Sequence, residues 1–434
     1  MTLQLGIRRE DKNKWERRTP IIPDHVTSLL KKHQIQTIAQ PSSIRSFTDD
    51  QYRQAGAKIS EDLSSCNVVF AVKEIPKELF EKEKTYVFFS HVIKGQSYNM
   101  PMLKEMMAKK CNLIDYEKIV NKENYRLIFF GKYAGLAGMV DTLHSFGKRL
   151  TLHHYRSTPF ENIKKTHEYH DLQSLKEHIK KIGRTIKTEG FAEKIAPIII
   201  GFAGYGNVSK GAQEIIDLLP CIKINPNQLA DVYKNPSTNC VYKVVFKEED
   251  MVRPINPDDT FDLQDYYIHP EKYESVFNRY LPYLTILMNC IYWDERYPRI
   301  LTKKYLLSHI DKNDFHLQII GDISVDINGA IEPTGKVTTP DHPSFVYNPH
   351  TDEMENDLSK KGLVIMAVDN LPCELPKDSS TEFSNALQPF IPAIINADYT
   401  TTFKDLKLPD EIKKAVILYK GILTPSFEYI NKYL

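Results

Sequence analysis

The chain has 434 residues, with 57 lysines and arginines against 56 aspartates and glutamates and a formal net charge of +1. At about 150 residues per domain, this length calls for two or three domains with well-buried cores, and 41% hydrophobic with 26% charged residues is an ordinary globular composition. The charge balance argues against a protein that coats nucleic acid or anionic membrane, and no run of about 18 apolar residues is present to span a bilayer.

The first third alternates short apolar runs with helical stretches. Strands are expected at 3–7, 36–39, 67–72, 85–89, 112–114 and 126–130, and helices at 23–33 and 101–109. Such alternation predicts an α/β unit with a mostly parallel sheet. Residues 132–150 (KYAGLAGMVDTLHSFGKRL) are rich in Ala, Gly and Leu, as in a long helix packed closely on a neighbour. The His- and Lys-rich residues 151–190 read as helical and solvated. An apolar strand at 195–201 leads into a glycine-rich stretch and a helix over 207–219. Further strands are expected at 241–246, 285–291, 317–323 and 363–368, irregular chain at 247–283, and helices at 380–397 and 410–419. The six cysteines form no CxxC pair, which argues against the usual zinc and thioredoxin-like spacings, and they read as reduced thiols of an intracellular protein.

The stretch Gly201-Phe-Ala-Gly204-Tyr-Gly206-Asn-Val-Ser209 follows an apolar strand and opens a helix. Gly204 and Gly206 would permit a tight turn and close approach of a pyrophosphate, whose charge a helix N-terminus favours. Tyr205, Asn207 and Val208 complete the cofactor side of that turn. A second strand at 221–224 would end at Asn225, where NAD-binding units place an acid for the ribose 2′-hydroxyl. Neutral Asn225, with Lys223 nearby, removes the repulsion against a 2′-phosphate, so NADPH is expected ahead of NADH.

Polar residues recur at strand ends in residues 1–130, where α/β folds place ligands. They are Glu16-Arg17-Arg18-Thr19, Lys73-Glu74 after VVFAV, His91 and Lys94 after YVFFS, Glu117 after LIDY, and Arg126 before LIFF. Singly, each reads more readily as a solvated or hydrogen-bonded strand end than as a working group, and spacing does not decide between them.

Together, GIRREDKNKWERRTPIIPDHV, FAVKEIP, FFSHVIK, IDYEKIV, FFGKYAGLAGMVDTLHSFG, GNVSKGAQ, MNCIYW, GDIS and VDNLPCELP resemble the lysine–2-oxoglutarate reductase half of the bifunctional aminoadipic semialdehyde synthases of animals and plants. Lysine-forming saccharopine dehydrogenases and alanine dehydrogenases are more distant. The resemblance implies two Rossmann-like α/β domains: a discontinuous catalytic domain of residues 1–136 and 372–434, and an inserted dinucleotide-binding domain of residues 137–371. By position, Lys73 and His91 match the acid/base pair of that family. Arg18 and Arg126 match groups for substrate carboxylates, and Glu74 and Glu117 acidic groups near the lysine substrate; Lys94, from its strand-end place, is expected beside the substrate with them. Gly204, Gly206 and Asp322 match cofactor-side positions. The implied reaction joins L-lysine and 2-oxoglutarate into saccharopine with NADPH, in the cytoplasm or, after loss of a transit peptide, the mitochondrial matrix. The resemblance involves no nucleic acid, membrane or metal and leaves oligomerisation open. The NAD-linked lysine-forming direction and a non-catalytic NADPH-binding subunit are the alternatives. The bifunctional proteins continue into a second half, so this chain is expected to be a monofunctional enzyme or an excised half.

Those residue types suit the chemistry. The substrates bring three carboxylates, which planar arginine forks bind and orient. The attacking ε-amine must be neutral, and deprotonating it at pH 7 costs about 4.6 kcal/mol from its reference pKa. Loss of water from the carbinolamine then needs a proton donor, so a two-residue acid/base system is required.

Overall fold

A computed structural model describes residues 3–153 and 158–434 of the chain. Residues 154–157, inside the stretch expected to be helical, lie outside the described residues. The chain divides into two compact bodies, Met1–Phe130 with Pro376–Leu434, and Gly131–Leu375. The divisions fall a few residues from the expected ones because the Gly131–Leu152 helix belongs as a whole to the second body.

The first body is built on an eight-stranded sheet. Six strands run parallel, in the spatial order Lys58–Ile59, Gln36–Ala39, Gln4–Ile7, Val68–Phe70, Thr85–Phe88 and Asn112–Asp115. The central strands are buried along their whole length, which is why they read as unbroken apolar runs rather than alternating ones. Pro23 and Pro101 stand in the first turns of the Pro23–His33 and Met100–Ala108 helices, where a missing N–H costs no helical bond. The C-terminal segment completes this body. Ser380 and Ser384 of the Pro376–Leu387 helix accept the backbone N–H groups of Thr19 and Ile22, each at 3.0 Å. Val416–Tyr419 pairs antiparallel with Asn112–Asp115.

Three expectations need correction in this body. Residues 126–130 form no strand: Arg126 makes a single bridge to Val120, and Phe130 stacks on Phe383 with ring centroids 4.6 Å apart. The helix expected over 410–419 ends at Lys414, because the β-branched and aromatic run Val416–Tyr419 is used as a strand. The helix expected at 380–397 divides into Pro376–Leu387 and Ile391–Asn396.

The second body carries another eight-stranded sheet. Its parallel part runs Leu363–Met366, Ile319–Asp322, Ile286–Asn289, Ile198–Ala203, Val241–Phe246 and Cys221–Ile224. Ser344–Asn348 and Glu353–Glu355 extend it antiparallel. The next strand after Ile198–Ala203 in the chain is therefore at the sheet edge, and Val241–Phe246 stands between the two. Residues 247–283, expected to be irregular, hold a short antiparallel ribbon of Val252–Pro254 and Tyr273–Ser275 and two short helices, Glu248–Met251 and Leu263–Ile268.

The Gly131–Leu152 helix lies against Asn207–Ile216 at backbone distance. A Cβ on Gly135 would sit 1.9 Å from the Val208 carbonyl oxygen, and one on Gly211 2.1 Å from that of Lys132. Gly135 of KYAGLAGM and Gly211 thus set a helix–helix approach that no side chain would permit. Both sheets are predominantly parallel with helices packed on them, so the protein is α/β with two Rossmann-like bodies. No helix among the described residues is long and apolar enough to cross a membrane.

Candidate active site

In the first body, the chain leaving Val68–Phe70 places Lys73 and Glu74, and the chain leaving Thr85–Phe88 places His91. These are adjacent parallel strands, and the two segments meet: His91 Nδ1 lies 2.6 Å from Glu74 Oε1, with Lys12 Nζ 3.4 Å from the other carboxylate oxygen. Burial works to raise the Glu74 pKa, but hydrogen bonding and charge from His91, with Lys12, outweigh it and bring it down to about 2. Glu74 is therefore an acceptor throughout the neutral range. As an ionised acceptor it holds a proton of His91 on Nδ1. His91 has φ 48, a left-handed conformation that non-glycine residues adopt mainly where surrounding structure holds them there. Asn99 Nδ2 supplies that hold, donating to the Ser90 and His91 carbonyls at 3.1 and 3.3 Å.

Lys73 is half-buried, and its pKa is lowered by burial first and then by the cations of Arg18 and Lys12. This is the direction a proton-accepting amine needs. Arg18 is buried; its Nε and Nη2 donate to the two oxygens of Glu16 at 2.8 and 2.6 Å, and its guanidinium lies 4.3 Å from the Phe130 ring centre. Arg126 pairs with Glu117, whose N–H donates to Asp115 Oδ1 at 2.8 Å. Lys94 is exposed on the turn after His91. A groove of about 680 Å³ lies beside Glu74, lined by Asp11, Lys12, Ile75, Tyr98 and Asn99 among others.

Sequence reasoning missed Glu10. Its carboxylate accepts the backbone N–H groups of Val72 and Lys73 at 2.7 and 3.0 Å, anchoring the strand end that bears Lys73. Burial, then the nearby Glu16 carboxylate, pushes its pKa up to about 7. GIRRE looked like an ordinary charged strand end, and only the fold brings it under residue 73.

The Glu74 pKa carries a pH prediction. Its folded value lies below its ordinary 4.5, so its stabilisation is present above that pH and is lost as pH falls towards 2. Glu74→Gln should lower stability by about 2 kcal/mol at pH 7. The urea-denaturation difference from the parent should close between pH 4.5 and 2; a pH-independent difference would contradict the pairing.

In the second body, Gly204 has φ 91 and Gly206 caps the Asn207–Ile216 helix. A Cβ on Gly206 would meet nothing within 4 Å, so open space faces the turn, as close approach of a pyrophosphate requires. Ser209, three residues beyond Gly206 on the helix, is fully buried. Tyr205 and Asn207 are exposed and Val208 is half-buried. Asp322 ends its strand level with Asn289 and, through it, with Ala203. It accepts from Thr334 Oγ1 at 2.6 Å, Asn289 Nδ2 at 2.9 Å and the Val325 N–H at 3.2 Å, and burial pushes its pKa up to about 6. Val325, β-branched with φ 52, is held in a strained conformation beside it. Asn225 is exposed at the end of the edge strand, separated from Ile198–Ala203 by Val241–Phe246. The turn, with open space before it and a ten-residue helix behind it, fits a dinucleotide.

Two predominantly parallel α/β bodies, one completed by both ends of the chain and the other bearing a glycine-rich strand–turn–helix, define a dehydrogenase-like architecture. The chain belongs to the alanine dehydrogenase/PNT family: the N-terminal domain of that family matches residues 6–137 and its C-terminal domain residues 317–426. This fold family binds nicotinamide cofactors. Alpha-aminoadipic semialdehyde synthase of Arabidopsis thaliana is 38% identical over 99% of this chain and 41% of its own length. The mitochondrial protein of that name from Mus musculus is 34% identical over 99% of this chain and 47% of its own. The chain thus spans less than half the length of these relatives. A saccharopine dehydrogenase [NAD(+), L-lysine-forming] of Emericella nidulans is 24% identical over 86% of this chain and 88% of its own. Among solved structures, an L-alanine dehydrogenase superposes with a TM-score of 0.62 at 15% identity, covering 99% of each chain.

Proposed function

We propose that the protein condenses the ε-amine of L-lysine with the keto group of 2-oxoglutarate and reduces the resulting imine to saccharopine with NADPH. The observation that carries this reading is the Lys73–Glu74–His91 cluster, set among Arg18, Glu16 and Lys12 at adjacent strand ends. The names of the full-length relatives support the substrate class. The compartment in keeping with the mitochondrial relatives and the free cysteines is the mitochondrial matrix or cytoplasm. The first body is the substrate domain and the second the dinucleotide domain.

When bound, the nicotinamide supplies a hydride to the imine carbon. Everything else falls to side chains. Lys73, lowered in pKa, takes the proton that makes the lysine amine nucleophilic; His91, with Nδ1–H held by Glu74, takes that proton up on Nε2 and returns it to the carbinolamine hydroxyl, which leaves as water. Glu74 holds His91 in the required tautomer. Glu74 and Glu117 supply acidic groups for the α-ammonium of the lysine substrate. Arg18 and Arg126 orient substrate carboxylates, and their present partners, Glu16 and Glu117, are themselves carboxylates that mark the guanidinium geometry as suitable. Lys94 is a further substrate-side cation.

The direct test follows absorbance at 340 nm. NADPH oxidation should require both L-lysine and 2-oxoglutarate and yield a product of the mass of saccharopine; oxidation with ammonia and a keto acid alone, or none at all, overturns the reading. Arg18→Lys and Arg18→Ala should raise the KM for 2-oxoglutarate at least fivefold. An unchanged KM in both would remove Arg18 from that role.

A further inference from the structure

We propose that the adenosine ribose of the cofactor is read by Lys247 and Glu248, beside Tyr205 and Tyr267, and not by Asn225. This rests on the dinucleotide reading above and adds where the cofactor is selected. In doubly wound sheets the reader of the 2′-position stands at the end of the strand next to the one that enters the glycine turn. Here that neighbour is Val241–Phe246, in register with Ile198–Ala203 so that Phe246 lies opposite Ala203. The two chains stay together past the strand ends: the Gly204 N–H donates to the Phe246 carbonyl at 3.0 Å. Lys247 and Glu248 therefore emerge alongside Gly204-Tyr205-Gly206.

The side chains there are arranged around Glu248. Tyr267 Oη donates to Glu248 Oε1 at 2.8 Å. Tyr205 faces the same carboxylate; burial and then the charge of Glu248 raise its pKa. Both tyrosines are 42% exposed, an unusual openness for two rings beside a glycine turn, and they offer flat apolar faces suited to a purine. Lys247 is exposed, with its ammonium 3.7 Å from Glu249. The site thus sets a carboxylate, which accepts ribose hydroxyls and repels a phosphate, next to an ammonium, which attracts a phosphate. The balance between these two charges sets the NADPH-to-NADH preference.

The experiment measures Kd for NADPH and for NADH by quenching of protein fluorescence, without lysine or keto acid, in the full chain and in Glu248→Gln, Glu248→Ser, Lys247→Gln and Asn225→Asp, each checked for folding by circular dichroism. Both Glu248 variants should shift the affinity ratio towards NADPH at least fivefold, and Lys247→Gln should shift it towards NADH. If these ratios stay within twofold of the parent, or if the ratio moves with Asn225→Asp instead, the assignment is wrong although the dinucleotide reading stands. If neither dinucleotide binds the parent, that reading and this one fall together.

Discussion

Lys73→Met is expected to lower kcat at least tenfold, within reach of the roughly 10²–10⁴-fold that a positioned acid–base group contributes, while the Kd for NADPH stays unchanged. His91→Gln should do the same. The split is expected because Lys73 and His91 are anchored within the first body, by Glu10 through backbone N–H groups and by Glu74 and Asn99 respectively, whereas the glycine turn belongs to the second. Met retains the bulk of the lysine stem and Gln retains a polar group, so packing is largely preserved. Stopped-flow or steady-state assays at 340 nm supply kcat, and fluorescence titration supplies the cofactor Kd. Near-parental kcat in both variants would remove them from the chemistry.

The second large effect is on the fold. Gly135→Val should lower the stability of the second body by about 3 kcal/mol or more, at the upper end of overpacking costs, because the new Cβ meets a carbonyl oxygen and a backbone nitrogen, at 1.9 and 2.7 Å, rather than a side chain that can turn aside. Dinucleotide affinity should fall with it, since the obstructed oxygen belongs to Val208, two residues beyond Gly206. Gly206→Ala is the informative contrast. Nothing lies within 4 Å of its Cβ position, so the urea midpoint should hardly move while the Kd for the dinucleotide rises. If Gly135→Val were as stable as the parent, the close helix contact would not be present in solution.

Much of the architecture was legible because parallel strands buried on both faces leave unbroken apolar runs, as at 68–72 and 198–203, and because glycine spacing marked both the turn at Gly204–Gly206 and the tight helix of Gly131–Leu152. The failures share a cause. Residues 126–130 and 416–419 are both short apolar segments whose fate depends on what packs beside them: Phe130 finds Phe383, and Val416–Tyr419 finds the free edge of Asn112–Asp115. Strand order is likewise invisible to local pattern. Position in the chain pointed to Asn225 as the ribose reader, and only the sheet shows Val241–Phe246 in between. In the first body, strand-end position picked out Lys73, Glu74 and His91 singly, and only the family resemblance gave them roles. That Glu74 and His91 touch, and that Glu10 lies beneath Lys73, comes from adjacent strands meeting at their ends.

The pairing of Asn112–Asp115 with Val416–Tyr419 also bears on synthesis. At ribosomal speeds of about 5–20 residues per second, the second partner follows the first by roughly 15–60 s. Throughout that interval the nascent amino-terminal sheet has an uncovered hydrogen-bonding rim, the kind of template that recruits foreign strands, while the intervening body, continuous in sequence, has all it needs to collapse. Productive yield in the cell is therefore tied to whatever shields that rim until the tail arrives.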